Sequence, residues 1–260
     1  MTLLVSLVAA SVFMSLVFLV GRRLRRYDIV DVAWGLVFIV IAVTAVAFNQ
    51  SYDLASILVL GLVMIWGFRL SYHIAQRIRA TTMEDKRYVA MRSKWRSGNE
   101  DLAIYLRIYL TQGLLATIVS LPVLVIAVAP VAIPPPFLVV GLLLWLVGFS
   151  LEALADRQLR RFIRNPAHKG QLMTAGLWRY SRHPNYFGEL TQWWAIGLIG
   201  LALPLGWIGL IGPLLISYLI IFVSGVPPME KAFAGRAGWD EYRRRTSVLI
   251  PWFVKVDSVK

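Results

Sequence analysis

Seven apolar segments stand out along the 260-residue chain, at about 2–21, 29–49, 53–72, 103–129, 136–154, 186–203 and 206–224. Each is near or above the ~18–20 residues an α-helix needs to cross a bilayer. The polar positions between them are unevenly distributed. The connections Asn49–Asp53, Ala129–Pro135 and Leu203–Gly206 contain no Lys or Arg, while the other connections and the stretch after 224 are basic. The first segment has no basic residue before it and Arg22, Arg23, Arg25 and Arg26 after it. A secretory signal peptide has the reverse order, so this is a retained span with its N-terminus outside. Alternating seven spans from there puts all 27 Lys and Arg on, or at the membrane edge of, the cytoplasmic side, with Arg69 and Arg107 inside span ends. The pattern predicts an all-α integral membrane protein: a single domain over 1–260 with seven transmembrane helices, N-terminus periplasmic or outside, C-terminus cytoplasmic.

Composition narrows the chemistry. The chain is 58% hydrophobic with a formal charge of +13. Because the charges flank apolar spans, they fit a lipid bilayer as partner and not a nucleic acid. Zero cysteines exclude disulfides, thiolate nucleophiles and cysteine-ligated metals. His73, His168 and His183 are scattered over two loop regions, so no metal site is expected. Neither G-x-G-x-x-G nor a Walker loop occurs, so a nucleotide would bind without a Rossmann or P-loop domain.

The richest stretch is Gly176–Glu189, which sets cations, aromatics and an amide against the start of an apolar span. Pro184 suits the first position of a helix, whose free N–H groups and positive dipole end would face whatever lies outside. Arg179, Arg182 and His183 add positive charge there, and Asn185 and Glu189, four apart, share one face. The stretch reads as a receptor for a ligand with a phosphate end outside and a polar, uncharged end inside. Asp156 and Arg160 form an i, i+4 pair in a run with Arg157, Arg161 and Arg164. That run is either a topology signal or a phosphate site.

In the second segment Asp28 and Asp31 face one way. They are either an interfacial pair bridged to nearby arginines or, for the deeper Asp31, an acid donating to a substrate carbonyl. Arg69, Tyr72 and His73 close the third segment, and Arg77–Asp101 reads as an amphipathic surface element or a cap. Pro122 predicts a kink. The tail from Gly225 to Trp252 suits an interfacial segment folding back over the cytoplasmic mouth.

The run Gly-Leu-Trp-Arg-Tyr-Ser-Arg-His-Pro-Asn-Tyr-Phe-Gly-Glu at 176–189, with Tyr242 and the Leu249-Ile-Pro251 ending, resembles the C-terminal domain of steroid 5α-reductases (3-oxo-5-alpha-steroid 4-dehydrogenases). The Asp-x-Ala-Trp-Gly pattern at Asp31–Gly35 is similar to their bacterial branch, and sterol C14-reductases share a similar Arg-His-x-Asn-Tyr-x-Gly-acid core. The resemblance implies a seven-span reductase that uses NADPH on a 3-oxo-Δ4-steroid or a related hydrophobic enone. It implies cofactor contacts at Asp156, Arg160, Asn185, Glu189 and Tyr242. The neighbouring residues Arg164, Arg179, Arg182, His183 and Tyr186 are the further candidates for the same site. Residues 150–252 would be the cofactor part and 1–149 the substrate side, with Asp31 and Tyr72 as catalytic candidates. A bacterial inner membrane, with the site opening to the cytoplasm, is the matching location. The Gln-Glu pair of the animal enzymes has no clear counterpart, and Glu230 and Lys231 stand near where they carry a histidine and a tyrosine. The competing resemblance is to membrane methyltransferases of the isoprenylcysteine and phospholipid type, which use S-adenosylmethionine and share Arg-His-Pro-x-Tyr-x-Gly, matched by Arg182–Gly188, with a downstream glutamate like Glu230. A non-enzymatic scaffold or transporter subunit is the third class, and Glu189 inside a span argues against it.

Overall fold

A computed structural model describes residues 1–81, 83–93, 98–129 and 131–255, and at Lys86 the backbone alone. Among the described residues the regular structure is helical apart from one isolated parallel bridge, Ser181 to Ser247. Six stretches are long and apolar enough to cross a membrane: Thr2–Leu24, Ile29–Asn49, Leu54–Arg79, Glu100–Val119, Pro135–Arg164 and Gly206–Phe233. The remaining expected span, the sixth in order at 186–203, coincides with a helix over Pro184–Leu201. It is not among those six, because Asn185, Glu189, Thr191 and Gln192 make its first half polar.

The chain divides into two compact units, Met1–Pro134 with Ile199–Gly212, and Pro135–Leu198 with the residues from Pro213 on. The first unit contains α1 (Thr2–Leu24), α2 (Ile29–Asn49), α3 (Leu54–Arg79), α4 (Lys86–Ser93) and α5 (Glu100–Ile104). A π-helical turn, Tyr105–Leu110, joins α5 to α6 (Thr111–Val119), and α7 (Leu121–Val128) follows. Ser120 separates α6 from α7, and Pro122 lies in the first turn of α7, where its missing N–H leaves no gap in the helix ladder. The expected kink is therefore a break between two helices.

α1 is apolar over most of its length, yet it buries one stripe, Thr2, Ser6, Ala10, Met14, Phe18 and Gly21. Leu4, Val8, Val12, Leu16 and Val20 lie on exposed faces. That division, one narrow stripe inward and large aliphatics on the other faces, belongs to a helix bordered by lipid. α2 and α3 cross at Gly35 and Gly67, where a Cβ added to Gly67 would stand 2.5 Å from the Gly35 carbonyl oxygen. Only glycine allows that approach. Asp53 starts α3 by accepting from Ala55 N at 3.0 Å and Ser56 N at 3.1 Å.

The second unit begins with α8 (Pro135–Arg164) and continues into α9 (Pro184–Leu201), whose last three residues belong to the first unit. Beyond α10 (Ile211–Tyr218), which starts in the first unit, come a π-helical turn at Leu219–Val223, α11 (Val226–Phe233) and α12 (Trp239–Arg245). α8 and α9 cross at a second glycine pair. A Cβ on Gly188 would lie 2.5 Å from Gly148 O and 2.6 Å from Glu152 N. This contact sets the candidate site, because it brings the polar end of α8 against the polar start of α9.

Candidate functional site

Along α8, Glu152 and Asp156 are one turn apart and buried. Along α9, Asn185, Glu189 and Gln192 share a face by the 3.6-residue period. Across the glycine contact each amide donates to an acid. Asn185 Nδ2 reaches Asp156 Oδ1 at 3.2 Å, and Gln192 Nε2 reaches Glu152 Oε2 at 2.7 Å. Each amide is thereby oriented with its carbonyl oxygen away from the acid. Among the described residues, neither Asn185 Oδ1 nor Gln192 Oε1 accepts from a protein group, although both atoms are buried. Glu189 is buried between these positions on the same helix.

The loop ahead of α9 is fixed from two sides. Toward α8, Trp178 Nε1 donates to Ala155 O at 3.1 Å and Leu177 N to Gln158 Oε1 at 3.0 Å. Gly176, with φ 62°, lets the chain turn there while touching Gln158. Toward the tail, Arg182 N donates to Ser247 O at 2.8 Å, Ser181 Oγ to Leu249 O at 2.7 Å and Trp252 N to Tyr180 O at 3.0 Å. Tyr242 Oη donates to Trp178 O at 2.5 Å. Arg182 is only 6% exposed. Its Nε and Nη2 bind Glu230 Oε1 at 2.8 and 2.7 Å, and its Nη1 donates to Arg243 O and Thr246 O at 2.8 and 2.6 Å.

The expected cofactor residues thus fall into two groups. Arg182 and Tyr242, expected from the sequence to touch a ligand, have their polar atoms committed inside the protein, tying the loop to the tail. His183 stacks on Tyr186 with ring centroids 5.4 Å apart. Asp156, Arg160, Asn185 and Glu189 line the adjoining ends of α8 and α9. Arg160 is half-buried, while Arg164 and Arg179 are exposed, as are Arg157 and Arg161. Two pairs at this candidate site, Gln192–Glu152 and Arg182–Glu230, are not assigned by the sequence. Gln192 lies seven residues after Asn185 and was detectable by helical period. Glu230 stands out in both family resemblances but not as a partner of Arg182, since nothing in one sequence pairs residue 182 with residue 230.

Burial pushes the His183 imidazole down to about 4 from its ordinary 6.5, with Arg182 adding to the fall and Glu230 opposing it. The folded chain therefore refuses, between those values, a proton that the unfolded chain accepts. Stability contributed at this position is complete above pH ~6.5 and declines as the pH falls toward ~4. Thermal unfolding across pH 4–7 is expected to show that decline in the parent and a flatter profile in His183→Gln.

The substrate-side candidates belong to the first unit. Asp31 Oδ2 pairs with Arg87 Nη2 at 3.0 Å and Arg77 Nη2 at 3.6 Å, and Asp31 Oδ1 accepts from Tyr88 Oη at 2.5 Å. Burial, followed by the Asp31 carboxylate, pushes the Tyr88 phenol well above its ordinary value, so it stays a neutral donor. Asp28 accepts both Arg26 Nε and Nη2, at 3.2 and 2.9 Å, and the Asp85 N–H. Of the two readings of this pair, the geometry matches the arginine-bridged one. These acids, with Glu84 bound to Arg92 and to Tyr27 N, hold α4 over the adjoining ends of α1 and α2. Tyr72 is 62% exposed, and the hydroxyl on Asp31 is that of Tyr88.

Comparison with known proteins agrees with the motif. The chain is 38% identical over 64 residues to 3-oxo-5-alpha-steroid 4-dehydrogenase 1 of Mus musculus, covering 24% of this chain and 25% of that one. The Rattus norvegicus protein of the same name matches at 38% over 64 residues, 24% of each. A probable O-methyltransferase of Ustilaginoidea virens is 37% identical over 51 residues, 20% of this chain and 18% of that one. The aligned part is thus about a quarter of the length of these dehydrogenases. A family model described as "Protein of unknown function (DUF1295)" matches residues 17–246, and the chain belongs to that family.

Proposed function

We propose that the protein is an NADPH-dependent membrane reductase acting on the C=C bond of a conjugated enone in a hydrophobic substrate, a 3-oxo-Δ4-steroid or a related lipid. The observation that carries this reading is the Asn185–Asp156 clasp, which leaves a buried carbonyl oxygen in need of a donor beside a run of exposed arginines. The residues present fit a dinucleotide. Asn185 Oδ1 would accept an N–H of a carboxamide, with Glu189 beside it, and Arg160, Arg164 and Arg179 would hold phosphates through charge-assisted hydrogen bonds. When bound, NADPH supplies a hydride for the β-carbon of the enone, and the α-carbon takes a proton.

The protein's part is to hold the reacting carbons in near-attack contact and to stabilise charge on the carbonyl oxygen. On the substrate side the reading keeps Asp31 and Tyr72. Asp31 accepts from Arg87 and Tyr88 in this structure, so of the two Tyr72 is the ready donor. Seven spans, an N-terminus outside and a site opening to the cytoplasm of a bacterial inner membrane complete the proposal, with residues 150–252 as the cofactor part.

Cofactor binding to the detergent-purified protein tests it. A ligand that binds only the folded state raises stability by ~2.7 kcal/mol at a hundredfold excess over its Kd. NADPH is expected to raise the unfolding temperature and S-adenosylmethionine to leave it unchanged. Asn185→Ala is expected to weaken NADPH at least tenfold. The Arg182–Glu230 pair and the fungal O-methyltransferase similarity favour a methyl-transfer alternative. A shift with S-adenosylmethionine alone overturns the hydride reading in its favour.

A further inference from the structure

The segment that follows α12 has two dissimilar sides. Its backbone is bonded to the loop Tyr180–Arg182 through Ser247 O, Leu249 O and Trp252 N. Its large side chains alternate: Val248, Ile250 and Trp252 are 40%, 59% and 66% exposed, whereas Ser247, Leu249 and Pro251 between them are half-buried. Phe253 is exposed by 80%, and Tyr180, whose carbonyl holds Trp252, is exposed as well. The alternation turns Val248, Ile250 and Trp252 away from the protein, and Phe253 joins them through its ring contact with Trp252, centroids 6.2 Å apart. Water is a poor neighbour for so contiguous a patch.

The loop bonded to this segment is itself fixed on α8 at Ala155 and Gln158. At that turn α8 changes from the apolar run ending at Leu154 to Arg157, Arg160, Arg161 and Arg164, which marks where the helix leaves hydrocarbon for headgroups. The segment thus lies at the level of the membrane boundary. Arg243, Arg244 and Lys255 are exposed on either side of it. Aromatic and aliphatic side chains flanked by cations at that level match the chemistry of an anionic lipid surface.

We propose that Ser247–Phe253 is a membrane-interface anchor. Val248, Ile250, Trp252 and Phe253 enter the headgroup–acyl boundary of an anionic bilayer, while the opposite edge of the same segment holds the Tyr180–Arg182 loop. The anchor thereby links the loop before α9 to the lipid surface, and it stands independently of the reductase reading.

The absence of native cysteine makes the test direct. Phe253→Cys carrying the fluorophore NBD would be reconstituted into vesicles containing phosphatidylglycerol and lipids doxyl-labelled near the headgroup. Thr174→Cys, in an exposed part of the loop before α9, is the reference. The expected result is blue-shifted emission at 253, several-fold stronger doxyl quenching than at 174, and little quenching by aqueous iodide. Adding Arg243→Gln and Arg244→Gln, or replacing phosphatidylglycerol by phosphatidylcholine, is expected to reduce the doxyl quenching. Strong iodide quenching at 253 would show a segment in water. Protection from both quenchers would show a second copy or another protein on this face. Either outcome overturns the anchor.

Discussion

Replacing Arg182 with methionine is expected to cost the protein about 3–5 kcal/mol of stability, the usual price of breaking a buried ion pair from one side. The guanidinium is almost fully enclosed and joins three parts of the second unit at once: the loop before α9, Glu230 on α11, and the carbonyls of Arg243 and Thr246 at the end of α12. Among the described residues, removing it leaves the Glu230 carboxylate beside His183, at 3.6 Å, and Arg243, at 4.0 Å. It also removes the donor that Arg182 Nη1 supplies to two carbonyls. Glu230→Leu alone is expected to be damaging for the mirror-image reason. The double variant Arg182→Met, Glu230→Leu should be less destabilised than the sum of the singles, because it leaves no unpaired buried charge. Unfolding midpoints of the four proteins in detergent complete the cycle. If Arg182→Met instead unfolds like the parent while losing NADPH, the guanidinium contacts the ligand and the structural assignment fails.

Gly188→Ala is the second large effect. The new methyl would meet Gly148 O and Glu152 N, both backbone atoms, at distances that real Cβ atoms do not adopt. α8 and α9 must then separate. Overpacking ordinarily costs roughly 1–3 kcal/mol, and rigid backbone on both sides puts this substitution at the upper end or beyond it. Separation also lengthens the Asn185–Asp156 and Gln192–Glu152 hydrogen bonds together, so NADPH binding should fall even in the fraction that folds. Gly61→Ala is the control, because a Cβ there meets nothing within 4 Å. It should be neutral or slightly stabilising, as glycine disfavours a helix interior relative to alanine. Equal midpoints for Gly188→Ala and Gly61→Ala would rule out the close crossing.

Much of the fold was legible because it rests on local periodicity. Long apolar runs gave the helices, and Pro184 gave the start of α9 to the residue. The polar face of α9 was legible in Asn185 and Glu189 for the same reason. Pairings across long separations were not legible. Arg182 with Glu230, Asp31 with Tyr88 and Asn185 with Asp156 depend on which helices meet, and helical period says nothing about that. The sequence made Arg182 a ligand contact because a cation beside a helix start suits phosphate; enclosure by the tail gave it another partner. Asp31 illustrates the same limit: its depth along α2 was readable, but α4, which supplies Tyr88 and Arg87, was readable only as an amphipathic surface element or a cap, with no partner for Asp31 named in it.

The bonds between Tyr180–Arg182 and Ser247–Trp252 have a consequence for the order in which the molecule assembles. Chains emerge from the ribosome at ~5–20 residues per second and tend to fold from the N-terminal side. α8 and α9 can cross at their glycines as soon as both are made. The loop between them cannot take its final form until residues some sixty to seventy positions later have been synthesised and have returned to it. Closing so long a loop precedes any reward from the contacts it makes. The motif richest in candidate site residues is therefore among the last parts of the chain to become ordered, and a nascent protein carries both crossing helices before it carries a finished loop between them.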